Sequence, residues 1–171
     1  MEVDETYIGS PGHGGKRGRG TSNKVLAAIA VEVSGGKAGR MRAQAIGDAS
    51  ALELHGFIGG AVEKGSTLVT DGWEAYNGIE AKGYFREVSS LRGNPGKALP
   101  HVHTVVSLLK RWLLGTLQGA CSAGHMPYYL DEYTFRFNRR TSRHRGMLFY
   151  RLLQNAVQLE PVTYHSIARR K

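Results

Sequence analysis

A chain of 171 residues suits one domain with a sizeable core, and 41% hydrophobic with 22% charged residues excludes a disordered polyelectrolyte. Twenty-three Lys and Arg against 14 Asp and Glu leave a net charge of +9, which favours a polyanionic partner, nucleic acid before an anionic membrane surface. The single cysteine, Cys121, excludes an internal disulfide and a Cys-rich zinc site.

Val3 to Ile8 is rich in β-branched and aromatic types and reads as a strand. The following stretch to Asn23 is glycine-rich and basic. It is either a hairpin loop or a loop whose Lys16, Arg17 and Arg19 meet DNA phosphates. Val25 to Val33 is almost entirely apolar, as in a strand covered on both faces. Arg40 to Ala45 alternates polar with apolar, as in a strand with one wet face near a sheet edge. Asp48 and Ser50 read as helix-capping residues ahead of Leu52, Leu54, Phe57, Ile58 and Val62, and the helix stops near Gly65. Thr67 to Thr70 is a short buried strand with Asp71 at its C-terminal end. A short helix is expected from Trp73 to Ala81, then a strand from Tyr84 to Val88 and a loop from Leu91 to Leu99. Helices follow over His101 to Leu117, Pro127 to Phe137 and Met147 to Val157, the second opened by a proline in its first turn.

Three consecutive strands form an antiparallel meander, whereas strands separated by helices need crossovers and run parallel. The expected fold class is α/β with a mixed five-stranded sheet, three antiparallel strands then two parallel, flanked by helices. The ribonuclease H-like fold has this order. One domain over residues 1–160 and a basic tail over 161–171 are expected. No apolar run approaches the roughly 18 residues of a membrane span, and Met1-Glu2-Val3-Asp4 lacks the regions of a signal peptide. A cytoplasmic, nucleoid-associated protein without a membrane partner is the simplest expectation.

Asp4 lies in the first strand and Asp71 at the end of the fourth. If those strands are neighbours, the carboxylates converge where open α/β sheets place their ligands. Carboxylates so close repel unless a cation lies between them, and hard divalent ions such as Mg²⁺ and Mn²⁺ prefer such oxygens. Two such ions about 4 Å apart can stabilise both oxygens of a phosphodiester exchange. Taken singly, Asp71-Gly72 also suits an ordinary turn. His103 and Lys110, two helical turns apart, share one face. From spacing alone they suit a capping or core histidine with a snorkelling lysine before a third ligand with a backbone-holding ammonium.

Four segments carry a family resemblance: Val-Asp-Glu-Thr-Tyr-Ile-Gly (3–9), Thr-Asp-Gly-Trp-Glu-Ala-Tyr (70–76), Ser-Leu-Leu-Lys-Arg-Trp-Leu-Leu-Gly-Thr (107–116) and Tyr-Leu-Asp-Glu-Tyr-Thr-Phe-Arg-Phe-Asn-Arg-Arg (129–140). In order, and over nearly the whole chain, they resemble the ISXO-like insertion-sequence transposases of the DDE type. The resemblance implies a catalytic domain that cleaves and rejoins DNA with two divalent cations, Mg²⁺ or Mn²⁺. It places the metal ligands at Asp4, Asp71 and His103, with Lys110 beside them. The third ligand is commonly Glu or Asn in that family. Here it is His, a softer ligand that suits Mn²⁺ better than Mg²⁺. His101 and Glu132 are its rivals; His101 points about 200° away from His103 on a helix, and Glu132 is placed for an i, i+4 ion pair with Arg136.

The expected partner is double-stranded DNA, both element ends and target, met by Lys110, Arg111 and the run Arg136, Arg139, Arg140, Arg143 and Arg145. A homo-oligomer is expected in the active complex. Tyr133 and Phe137 are expected in the core, and Trp73 and Tyr76 in packing beneath the site. Relatives carry an N-terminal region that reads the element's ends. Only three residues precede Asp4, so a fragment, a misassigned start or a decayed copy is expected. The rival functions are a non-catalytic basic DNA-binding remnant and a nuclease acting on RNA–DNA hybrids.

Overall fold

Strand β1 (Glu2–Ile8) lies at the centre of a five-stranded sheet of order β3-β2-β1-β4-β5. In this computed structural model, residues 1–9, 24–89, 98–117 and 123–165 are described. Lys16, Arg17, Arg19, Cys121, most of the 91–99 loop and the end of the basic tail lie outside them. Strands β2 (Val25–Ser34) and β3 (Lys37–Ile46) complete an antiparallel meander with β1, whereas β4 (Thr67–Thr70) runs parallel to β1 and β5 (Phe85–Val88) parallel to β4. The sheet is the mixed one expected. The β2–β3 hairpin closes through Gly35 and Gly36, at φ 56° and 71°. Two successive left-handed residues make the turn whose twist matches paired strands, and glycine adopts them without strain.

The apolar run of β2 is buried on both faces. Ala27, Ile29 and Val31 belong to one core layer, and Leu26, Ala28 and Ala30 to the other. Helices α2 (Pro100–Leu117) and α3 (Met126–Asn138) cover the first face with Val102, Val105, Leu109, Leu113, Leu130, Tyr133 and Phe137. Helix α1 (Ala51–Ala61) covers the second with Leu54, Phe57 and Ile58, joined by Leu68, Tyr76, Ile79 and Tyr84. The cap of α1 is Ser50, whose Oγ accepts from Glu53 N, while Asp48 Oδ1 accepts from Ser50 N and braces the turn before it. Helix α4 (Gly146–Ala156) follows α3 and contains no buried residue.

One expected element takes another form. The span from Trp73 to Ala81 is two short 3₁₀ turns, Glu74–Tyr76 and Ile79–Lys82, separated at Gly78 with φ 82°. A left-handed residue stops helical propagation, and Asn77-Gly78 supplies one. Trp73 correspondingly remains 48% exposed, its Nε1 donating to Ala49 O, whereas Tyr76 is fully buried. No helix among the described residues is long and apolar enough to cross a membrane.

Candidate active site

Alternation along β1 sends Glu2, Asp4 and Thr6 to the face covered by α2 and sends Val3 and Glu5 to the other. Each of the three meets one side chain of the helix. Glu2 Oε1 lies 2.6 Å from His101 Nδ1, Asp4 Oδ2 lies 3.1 Å from His103 Nε2, and Lys110 Nζ donates to Thr6 Oγ1 at 2.8 Å. Strand and helix therefore run alongside one another, joined by three polar contacts.

Glu2 sets the helix in place. Its buried carboxylate accepts the backbone N–H of His101 and of Val102 through Oε2, at 2.8 and 2.7 Å. These donors belong to the first turn and have no partner inside the helix, and a negative charge there also complements the helix dipole. His101 completes the bracket between Glu2 and the carbonyl of Gly36 at 3.0 Å. These partners raise the imidazole above its ordinary pKa, the hydrogen bond to Glu2 most. His101 is thus committed to Glu2, and His103 is the histidine at Asp4.

Asp71 follows β4 directly. The parallel pair of Glu2 with Val69 puts Asp4 and Asp71 each two residues further along neighbouring strands. Burial raises the Asp4 carboxyl above the ordinary carboxylate value; His103 opposes this and the negative charge of Asp71 adds to it. Asp4 Oδ1 accepts Glu5 N, and Asp71 Oδ1 accepts Trp73 N, both at 3.0 Å. Two carboxylates and an imidazole are an oxygen-rich donor set of the chemistry that Mn²⁺ and Mg²⁺ accept. Among the described residues, no three His, Cys, Asp or Glu side chains stand close enough to enclose an ion as they are.

Periodicity did not indicate Glu5. Its Oε2 accepts the hydroxyl of Tyr76 at 2.7 Å on the far face of β1, tying that strand to the loop after Asp71. Burial raises the Glu5 carboxyl, Tyr76 opposes it, and Asp4 and Asp71 add to it. A Glu beside Asp4 and a Tyr five residues after Asp71 were visible in the quoted segments, but nothing local joins them.

The remaining candidates are distributed as follows. Lys110 lies at the helix surface, where partial burial of its ammonium against Thr6, with Lys24 nearby, lowers it from the ordinary lysine value and Asp4 opposes this. Arg111 is exposed on α2. Glu132 pairs with Arg136 at 2.7 Å on α3. Arg139 stacks on Phe135, its guanidinium 3.8 Å from the ring centroid. Arg140 stacks on Phe137 and donates to the carbonyls of Ala38, Gly39 and Phe137, so its guanidinium clamps the β3 edge. Arg143 and Arg145 are exposed. Tyr133 and Phe137 are core residues as expected.

A sequence family described as ISXO2-like transposase domain matches residues 1–138, from the first residue to the end of α3. Among solved structures, the catalytic core domain of BIV integrase aligns with a TM-score of 0.57 at 19% identity, over 92% of this chain and 95% of that one. At that identity the likeness establishes the fold, which is ribonuclease H-like. No curated protein sequence matches the chain.

Proposed function

The chain belongs to the ISXO2-like transposase domain family, and on that premise we propose that it cuts and rejoins DNA phosphodiesters with divalent cations held by Asp4, Asp71 and His103. The observation that carries this reading is the contact of His103 with Asp4 at 3.1 Å, beside an Asp71 whose charge acts on the same carboxyl. A cation at these donors supplies the positive charge that stabilises a phosphodiester in transit. Asp4 and Asp71 would provide the anionic oxygens, and His103 Nε2, 3.1 Å from Asp4 Oδ2, would turn from that contact to the cation as the third, neutral ligand.

Cleavage forms a bond from water to phosphorus and breaks the P–O3′ bond, leaving a 5′-phosphate and a 3′-hydroxyl. In strand transfer that 3′-oxygen attacks a target phosphodiester, whose own 3′-oxygen leaves. Lys110, anchored through Thr6 on the face that presents Asp4, holds a phosphate and offsets charge developing on it. Double-stranded DNA is the substrate on this reading, and a homo-oligomer brings two ends together.

The test is nicking of supercoiled DNA carrying the element's ends. The parent chain should nick with Mn²⁺ and more slowly with Mg²⁺ at matched concentration, because imidazole is the softer ligand. Asp4→Ala should fall to background. An Asp4→Ala chain as active as the parent refutes the assignment, and equal or faster nicking with Mg²⁺ removes His103 from the ligand set. A second reading, a basic DNA-binding remnant without catalysis, draws on the net charge of +9. It predicts salt-sensitive binding and no nicking with either metal.

A further inference from the structure

Asp71 stands just past the end of a four-residue strand, where the parallel ladder has ended and no longer fixes the backbone. A metal ligand there needs another support. The half-buried Arg86, on the neighbouring β5, supplies four hydrogen bonds to this loop and its approach. Its Nε donates to Thr70 Oγ1 at 3.0 Å, Nη1 to Asn77 Oδ1 at 2.5 Å, and Nη2 to the carbonyls of Asp71 and Trp73, both at 3.2 Å. Thr70 Oγ1 in turn donates to the same Asp71 carbonyl at 2.9 Å. The guanidinium also lies 5.6 Å from the ring centroid of Tyr76, the residue that binds Glu5 beside Asp4.

We infer that Arg86 is a positioning residue for the metal site: its guanidinium fixes the 70–77 loop so that the Asp71 carboxylate faces Asp4. The inference rests on Asp71 being a cation ligand. Arg86 reaches Asp71 through the main-chain carbonyl, so it governs where the carboxylate stands without taking its place as a partner. Only a planar fork spans acceptors on Thr70, Asp71, Trp73 and Asn77 together. A lysine keeps the charge and most of the stem but concentrates its donors at one point.

The experiment titrates the folded chain with Mn²⁺ alone by calorimetry, for the parent, Arg86→Lys, Arg86→Gln and Asp71→Asn, with thermal unfolding of each. Mutation of residues that orient metal ligands costs about 10–100-fold in affinity. Arg86→Lys should bind Mn²⁺ at least about 10-fold more weakly with an unfolding midpoint near the parent's, and added Mn²⁺ should restore its nicking. Arg86→Gln should be weaker still, and where it does not fold Arg86→Lys decides. Asp71→Asn should lose the site. Parent-like Mn²⁺ affinity in Arg86→Lys beside a defective Asp71→Asn overturns the role of Arg86 alone, as does a lowered midpoint with unchanged affinity. Parent-like affinity in Asp71→Asn overturns the metal reading and this inference with it.

Discussion

Asp4 is held between neighbours of opposite effect, with His103 favouring its charged form and Asp71 and burial opposing it. A carboxylate in that position gains from a cation more than an exposed one does, since the cation relieves both penalties. His55 shows the same desolvation, opposed only in part by hydrogen bonds with the backbone at Ala75 and Tyr76. Its Nε2 is buried with no hydrogen-bond partner, and burial, aided by Lys82, depresses its pKa below the ordinary 6.5. The folded chain therefore keeps His55 neutral at pH values where the unfolded chain protonates it. Stability present above about pH 6.5 is lost as pH falls through the lower folded value. Thermal unfolding between pH 7 and 5 should show a falling midpoint, and His55→Leu should flatten part of that slope. An unchanged slope would remove His55 as a cause.

At the scale of elements, the edge strand β3 owes its seat to α3. Asn138 Oδ1 accepts Met41 N at 2.7 Å and its Nδ2 donates to Met41 O at 2.9 Å, so one amide behaves like another strand residue. Arg140 serves the carbonyls of Ala38 and Gly39 beside it. Asn138→Ala leaves both Met41 groups without these partners and should cost about 1–3 kcal/mol, read as a lower denaturant midpoint. No change in that midpoint would mean that water replaces the amide at no cost. The elements themselves were legible because each obeys a local rule. β2 reads as a strand from its apolar run, α1 from Ser50, α3 from Pro127, and β1 from its β-branched and aromatic residues. The candidate triad was legible only through family resemblance, since spacing alone favoured a capping or core histidine at 103. Glu2 with His101, Glu5 with Tyr76, and Asn138 with Met41 were not legible. Each joins residues some 70 to 100 positions apart, and such pairs follow from topology, which no periodicity records. Just past α3, charge marked Arg140 for DNA, but its stacking on Phe137 and its hydrogen bonds to the β3 carbonyls were equally beyond any local rule.

For the whole molecule, the surplus of nine positive charges has a measurable consequence. If Lys110, Arg111, Arg143 and their neighbours track a DNA backbone, binding releases counterions. Affinity for a duplex should then fall steeply with salt, by about 10³-fold or more between 50 and 200 mM if six or more phosphates are contacted. A flat salt dependence would contradict a phosphate-tracking surface. The family match ends with α3, and the sheet with its three covering helices α1, α2 and α3 lies within it. That body brings β1, the end of β4 and the first turns of α2 together, and the account stands on this junction holding a cation. Anomalous scattering from crystals grown with Mn²⁺ tests it most directly. The account predicts a peak in coordination contact with the carboxylates of Asp4 and Asp71 and with His103 Nε2. Ordered Mn²⁺ bound elsewhere, with those three side chains left unliganded, would contradict it.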